Sequence, residues 1–185
     1  QEKELSHIKS LAGKGAWLMM QKAFKNKIND EQTKKEMTKE FLRFYSENID
    51  NESKPIKGAE LFFKWAISKK ISLAVCTNKQ EKLAVDLLKK LKLFDYFEYI
   101  AGCDTFDFNK PDARHLTNVI EIIGGNLKKT IMVGDSEVDA NSAHNAKLPF
   151  VLVENGYTEK KINEIKHDEL IKDFEGFSEI VKKYL

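Results

Sequence analysis

Thr130-Ile131-Met132-Val133-Gly134-Asp135-Ser136-Glu137-Val138-Asp139-Ala140 is the stretch on which the reading of this chain turns. Its apolar run, Ile131 to Val133, predicts a buried strand of the kind that a parallel sheet covers on both faces. The run stops at Gly134, and a carboxylate, Asp135, follows at once. Ser136 then opens a predicted helix, with Asp139 inside its first turn. Open α/β sheets place their ligands at the carboxyl ends of the strands. An acid at that point, beside the positive end of a helix, is positioned to hold a metal or to meet a phosphate. Burying an unpaired carboxylate is costly, so packing alone seldom puts one there.

On both sides of this motif the pattern alternates between helix and strand. Downstream, a helix from Ser136 to about Ala146 leads to a strand at Phe150 to Val153, and a last helix is predicted near Phe177 to Tyr184. Upstream, a helix over Pro111 to Ile123 sets Leu116, Val119, Ile120 and Ile123 on one face, and Gly124-Gly125 stops it. Before it come a short strand, Phe97 to Ala101, and a helix marked by Leu83, Ala84, Leu87, Leu88 and Leu91. Further back lie a continuous apolar strand, Ile71 to Thr77, and a helix, Ala59 to Ser68. Alternation of this kind implies a parallel sheet covered by helices on both faces. Residues 1 to about 52 differ in reading as all-helical. Glu2 to Leu11 and Ala16 to Phe24 flank Gly13-Lys14-Gly15, and Thr33 to Asn48 carries Met37, Phe41, Phe44 and Tyr45 at helical spacing. The polar, proline-bearing segment from Asp50 to Pro55 reads as a linker. The expected organisation is a small helical unit, 1–52, on an α/β core, 53–185.

Composition narrows the function classes. A chain of 185 residues is one domain or one domain with a small insert, and a 42% hydrophobic share suffices for a packed core. A net charge of +2, with acidic and basic residues interspersed, offers no basic stripe for nucleic acid. No apolar run reaches membrane-spanning length, and the first residues do not resemble a signal peptide, so a cytoplasmic protein is expected. The two cysteines, Cys76 and Cys103, make neither a disulfide framework nor a metal spacing; both are read as reduced and buried. Nothing in the sequence speaks to oligomeric state.

Three places besides the opening motif hold candidate chemistry. Thr77-Asn78 ends the strand that begins at Ile71, where a hydroxyl, an amide and helix-start N–H groups suit a phosphate oxygen. Helix capping is the plainer role for such a pair. Lys110 precedes Pro111, a residue suited to the first helical position, which would aim the lysine into the strand-end crevice as a point charge for a phosphoryl group. The plainer reading is an exposed lysine. Ser136-x-x-Asp139 resembles a capping box with an acid in place of Glu or Gln, and Asp139 is also placed to orient Lys110. His115 and His144 lack partners at ligand spacing and read as surface or packing residues. Asp104 and Asp107 read as a solvated loop, and Trp17 as packing.

Together these pieces resemble the haloacid dehalogenase-like superfamily, in its phosphoglycolate phosphatase branch. Leu73-Ala-Val-Cys-Thr-Asn-Lys79 is similar to the second family motif, Lys110-Pro111-Asp112 to the third, and Val133-Gly-Asp-Ser-Glu-Val-Asp139 to the fourth. The match to the fourth runs on through Ala143 and Ala146 to Gly156-Tyr157. Leu91-x-Leu93-Phe94-x-x-Phe97 and Gly13-Lys14-Gly15-Ala16 are similar as well, the latter to the glycine-bearing loop of a helical cap. The resemblance implies a Rossmann-like parallel-sheet core with a small all-helical cap. It implies a Mg2+-dependent phosphatase acting on a small phosphorylated metabolite, phosphoglycolate first. In that scheme Thr77, Asn78 and Lys110 bind the phosphoryl group, Lys110 assists catalysis, Asp135 holds the metal, and Ser136 and Asp139 support them. The dehalogenases share the fold but need no metal, and Gly134-Asp135-Ser136 argues against that activity.

One departure is large. The family's first motif, Asp-x-Asp-Gly-Thr, carries the nucleophile and the general acid–base, and it does not occur here. Asp104-Thr-Phe-Asp107 has the acid spacing but lies on the wrong element. In the family fold the strand that bears the motif sits mid-sheet, between the strand ending at Thr77 and the strand ending at Asp135. Leaving out a central strand exposes two rows of backbone groups, each costing about 1–3 kcal/mol if buried unpaired. Several such losses exceed the roughly 5–15 kcal/mol of a typical domain's stability. The strand is therefore expected in the natural protein, upstream of Gln1. Without it the chain is expected to be inactive, and the alternative is a non-catalytic protein that binds phosphate or a partner.

Overall fold

A computed structural model describes residues 15–24, 30–154, 156, 158 and 160–184. The helix expected at Glu2 to Leu11, the Gly13-Lys14 half of the glycine loop and Tyr157 lie outside the described residues.

The first described elements are two helices packed on each other, α1 (Ala16–Phe24) and α2 (Glu31–Glu47). The α2 helix starts ahead of the expected Thr33 because Asp30 caps it, accepting the N–H groups of Gln32 and Thr33 at 3.3 and 2.7 Å. Its apolar stripe divides: Phe41 and Tyr45 stack with ring centroids 6.1 Å apart, while Phe44 points outward. After the polar segment comes α3 (Ala59–Ser68), whose Phe62 and Ala66 are buried against the last helix, α7 (Phe177–Val181).

Between α3 and α7 the chain runs β1 (Ala74–Cys76), α4 (Glu81–Lys90), β2 (Tyr99–Ala101), α5 (Ala113–Ile122), β3 (Met132–Gly134), α6 (Glu137–Asn145), β4 (Phe150–Val153) and β5 (Glu169–Ile171). Every strand pair is parallel. Ala74 lies opposite Tyr99 and Cys76 opposite Ala101 in one sheet; β3, β4 and β5 form the other, with Gly134 opposite Leu152 and Val153 opposite Ile171. This is the α/β parallel-sheet fold expected, with helices on both faces.

Two apolar layers hold the sheets side by side. On one face Cys76 from β1 packs in the same cluster as Met132, Phe150 and Leu152, under Leu116 and Ile120 of α5 and Ala140 and Ala143 of α6. On the other face Ile71 and Leu73, just ahead of β1, share a cluster with Val133, Val151 and Val153, covered by Phe62 of α3 and Phe177 of α7. Yet no ladder joins β1 to β3 among the described residues. Thr77 N–H donates to Ala101 C=O at 2.9 Å, and Met132 N–H donates to Pro149 C=O at 2.9 Å. Strand alternation then turns the backbone groups of Cys76 and Val133 to the opposite edges, which face each other across a slot. Burial agrees: β4, paired on both sides, is buried along its length, whereas all of β1 and β3 is only half-buried.

Some expectations are corrected. The strand predicted over Ile71 to Thr77 is regular only from Ala74 to Cys76, because β2, its only partner among the described residues, is itself three residues long. The helix predicted from Pro111 begins at Ala113: Asp112 is the cap and accepts Arg114 N–H at 2.9 Å, while the Lys110–Pro111 bond ahead of it is cis. The last helix stops at Val181 and passes into a tight turn, Lys182–Tyr184. The strand β5 was not anticipated. Both cysteines are half-buried rather than buried. No helix among the described residues is long and apolar enough to cross a membrane.

Candidate functional site

The carboxyl ends of β1 and β3 open into one cavity of about 600 Å³. Thr77, Asn78, Lys110, Asp135, Ser136 and Asp139 all line it. Its opposite wall is helical, with Gly15 and Trp17 from the start of α1 and Phe41 and Tyr45 from α2.

Thr77 follows β1 directly. Its hydroxyl accepts Lys79 N–H at 3.1 Å, a side-chain turn that folds the chain back at the strand end. Neither Thr77 nor Asn78 caps the next helix: α4 begins at Glu81, and Asp104 accepts the Glu81 N–H at 2.8 Å. The capping reading of the pair is thereby set aside, and exposed Asp104 acquires a structural role. Asn78 ties two loops together through its Nδ2, which donates to Lys110 C=O at 3.1 Å. Its Oδ1 is buried without a hydrogen-bond partner among the described residues.

Lys110 is not the exposed lysine of the plainer reading. It is 8% exposed, and its ammonium donates to Asp139 Oδ1 at 2.5 Å. Asp139 fills both roles that the sequence left open. Its Oδ2 accepts Ser136 Oγ at 2.7 Å and Asp135 N–H at 3.1 Å, while Ser136 Oγ accepts Asp139 N–H at 3.3 Å as the cap of α6. One carboxylate therefore closes the helix start and holds the lysine. Burial pushes the Asp139 carboxyl up, but attraction from Lys110 and the hydrogen bonds from Lys110, Ser136 and the Asp135 backbone outweigh it, and the group stays below the ordinary carboxylate value. Gly134 makes this packing possible. A Cβ built there would lie 2.4 Å from Asp139 Cβ, so any side chain would displace the acid.

Asp135 is half-buried, and the loop after β4 crosses it so closely that a Cβ at Gly156 would stand 2.3 Å from Asp135 Cβ. Among the described residues no group of three or more His, Cys, Asp or Glu side chains could hold a metal. A magnesium ion needs no such cage, since it keeps several waters and takes one or two carboxylates together with substrate phosphate oxygens. Asp135, one carboxylate lining a cavity with room for a phosphorylated metabolite, fits that donor set. His115 is fully buried, with Nε2 3.0 Å from Gly102 C=O, and burial pushes its pKa below the ordinary value. Burial also pushes the Cys76 thiol up to about 11.

Sequence reasoning gave no role to Lys79 or Tyr45, which meet in the cavity. The Lys79 ammonium donates to the Tyr45 hydroxyl and lies 4.2 Å from the Tyr45 ring centroid. The only sequence signal for them was position: Lys79 directly after Thr77-Asn78, and Tyr45 four residues beyond Phe41 on one helix face.

A hydroxyl, an amide, an ammonium and a carboxylate thus converge at two parallel strand ends. A family model for haloacid dehalogenase-like hydrolases matches residues 3–153. The chain belongs to the haloacid dehalogenase-like hydrolase family. Its similarity to a protein of Agrobacterium fabrum named phosphoglycolate phosphatase is 40% identity over 92% of this chain and 73% of that one. For a protein of the same name from Mesorhizobium japonicum it is 38% over 77% of this chain and 63% of the other, so the chain spans under two thirds of that relative. A crystal structure described as a predicted phosphoglycolate phosphatase from Haemophilus somnus superposes with a TM-score of 0.90 at 25% identity, covering 97% of this chain and 83% of its own. These similarities place this haloacid dehalogenase-like chain on the phosphoglycolate phosphatase branch.

Proposed function

We propose that the chain is the phosphate- and metal-binding body of a Mg2+-dependent phosphatase acting on a small phosphorylated metabolite, with phosphoglycolate the leading substrate. The observation that carries this reading is the convergence of Thr77, Asn78, Lys110 and Asp135 on one cavity at the carboxyl ends of β1 and β3. Thr77, the N–H groups after it and Lys110 would hold the phosphoryl oxygens as charge develops on them. Asp135 would hold the magnesium, which when bound offsets charge on phosphate and nucleophile. Asp139 and Ser136 keep Lys110 at its post. The helical unit, 1–52, would cover the cavity of the core, 53–185, and set substrate identity. The nucleophile would be an aspartate on a parallel strand seated in the slot between β1 and β3; its attack on phosphorus would break the bond to the ester oxygen, which would leave as the alcohol with a proton from the acid–base aspartate of the same motif, and water would then cleave the aspartyl-phosphate to inorganic phosphate and the free carboxylate.

The slot also favours a second reading, a non-catalytic protein that binds phosphate or a partner. With no nucleophile in place turnover falls by about a millionfold in a well-studied hydrolase. A phosphatase panel on the full-length gene product, with and without magnesium, separates the two: no magnesium-stimulated hydrolysis of any ester overturns the first. Within an active protein, Asp135→Asn is expected to reduce the rate at least a hundredfold and to flatten the magnesium response. Near-normal magnesium activation of that variant would count against the metal assignment.

A further inference from the structure

Among the described residues two lysines line the cavity, and they point to different walls. Lys110 turns to the sheet side and is matched by Asp139, with Asp135 beside it. Lys79 turns to the helical side, toward Tyr45 of α2. No carboxylate pairs with Lys79 among the described residues; a neutral phenol hydroxyl accepts from it and a ring face lies beside it. The helical wall beside Tyr45 also carries Trp17, Phe41 and Leu42, with Thr38 as a further polar residue among those described. A half-buried ammonium in such a place is stabilised by a phenol only in part, and an anion would be favoured beside it.

The donor count leaves room for one. An ammonium has three N–H donors and the tyrosine one O–H. Lys79 can therefore keep Tyr45 and also donate to one oxygen of a carboxylate, while Tyr45 donates to the other. The helical side reaches the strand-end loop at Gly15: a Cβ at that position would lie 3.3 Å from Asn78 C=O, so the backbone entering α1 rests on the loop that carries Thr77 and Asn78.

We propose that Lys79 and Tyr45 form the specificity end of the cavity and take the carboxylate of a small phosphorylated acid while its phosphoryl group lies among Thr77, Asn78 and Lys110. This assignment rests on the phosphatase reading above and adds the residues that would tell a phosphate ester with a second anionic group from one without. Tyr45 supplies the link to the helical unit, so that the far end of the substrate bridges α2 and the loop after β1.

The test is binding, which needs no turnover. Calorimetry would compare 2-phosphoglycolate with ethyl phosphate, which has a methyl group where the carboxylate stands, in the presence of magnesium. The unaltered protein is expected to prefer 2-phosphoglycolate by about 30-fold, the range of a charge-assisted hydrogen-bonded pair. Lys79→Met should erase the preference and leave ethyl phosphate binding as it was. Tyr45→Phe, which keeps the ring but not the hydroxyl, should reduce the preference by about fivefold. The assignment is overturned if Lys79→Met weakens both esters alike, if the preference survives that substitution, or if the unaltered protein binds both esters equally. The last result leaves the phosphatase reading intact. If neither ester nor inorganic phosphate binds, the phosphatase reading falls and this assignment falls with it.

Discussion

Asp139 shows how much one side chain can organise. It is 6% exposed and receives Lys110, Ser136 Oγ and the Asp135 N–H. Removing one member of a buried ion pair leaves the other charge uncompensated and costs about 3–5 kcal/mol. Asp139→Asn is therefore expected to lose stability of that order in chemical denaturation. Because the carboxyl is held below its unfolded value of 3.8, its contribution is complete above that pH and disappears as pH falls through the lower folded value. The stability gap between the native protein and Asp139→Asn should thus be constant at neutral pH and close in acid below about pH 4. A gap that widened in acid would mean that burial outweighs the partners of Asp139 and raises the group. The sequence offered two roles for Asp139 because an acid three residues after a serine serves either purpose; only the placement of Lys110, set by a loop from another strand, shows that both are filled.

At the level of elements, the slot is the feature with measurable consequences. The Val151 and Leu152 amides belong to a strand paired on both sides and fully buried, whereas Cys76 and Val133 face an edge without a ladder. Unpaired edges open to solvent exchange readily. In residues 1–185 alone, hydrogen exchange should therefore be much faster at Cys76 and Val133 than at Val151 and Leu152, and in a protein with a strand seated in the slot all four should be protected alike; fast exchange at Cys76 and Val133 in that protein would count against the strand. The elements with strong periodicity were legible in advance: α5 with Leu116, Val119 and Ile120 on one face, and β3 with its apolar run ended by Gly134 and Asp135. Those read poorly depend on distant partners. Glu169–Ile171 has three residues of mixed polarity at the sheet margin and becomes a strand only because β4 lies beside it. The Pro111 boundary misled because proline suits a helix start, while Asp112, two residues beyond Lys110, supplies the actual cap. Asn78 was legible as a phosphate or capping residue, but its bond to the Lys110 carbonyl joins loops 32 residues apart and left no local trace.

On the scale of the whole molecule, the two sheets are joined through side chains above and below and through what occupies the cavity between their ends. A ligand that touches Thr77 after β1 and Asp135 after β3 would link them directly. Inorganic phosphate with magnesium is thus expected to raise thermal stability, by about 2.7 kcal/mol at a hundred times its dissociation constant. Lys110→Met should abolish the phosphate-dependent part of the rise. A rise unchanged in that variant would place the anion elsewhere.

The contact between Gly156 and Asp135 carries the matter further along the chain. The segment after β4 has no reactive group at that position, only an absence of bulk that lets the acid stand where it does. A single-base change giving Gly156 even one methyl would strike the Asp135 carboxylate from behind. In a screen for loss-of-function alleles, such a lesion would be scored as a loop defect while its phenotype was that of a displaced acid, 21 residues earlier in the gene.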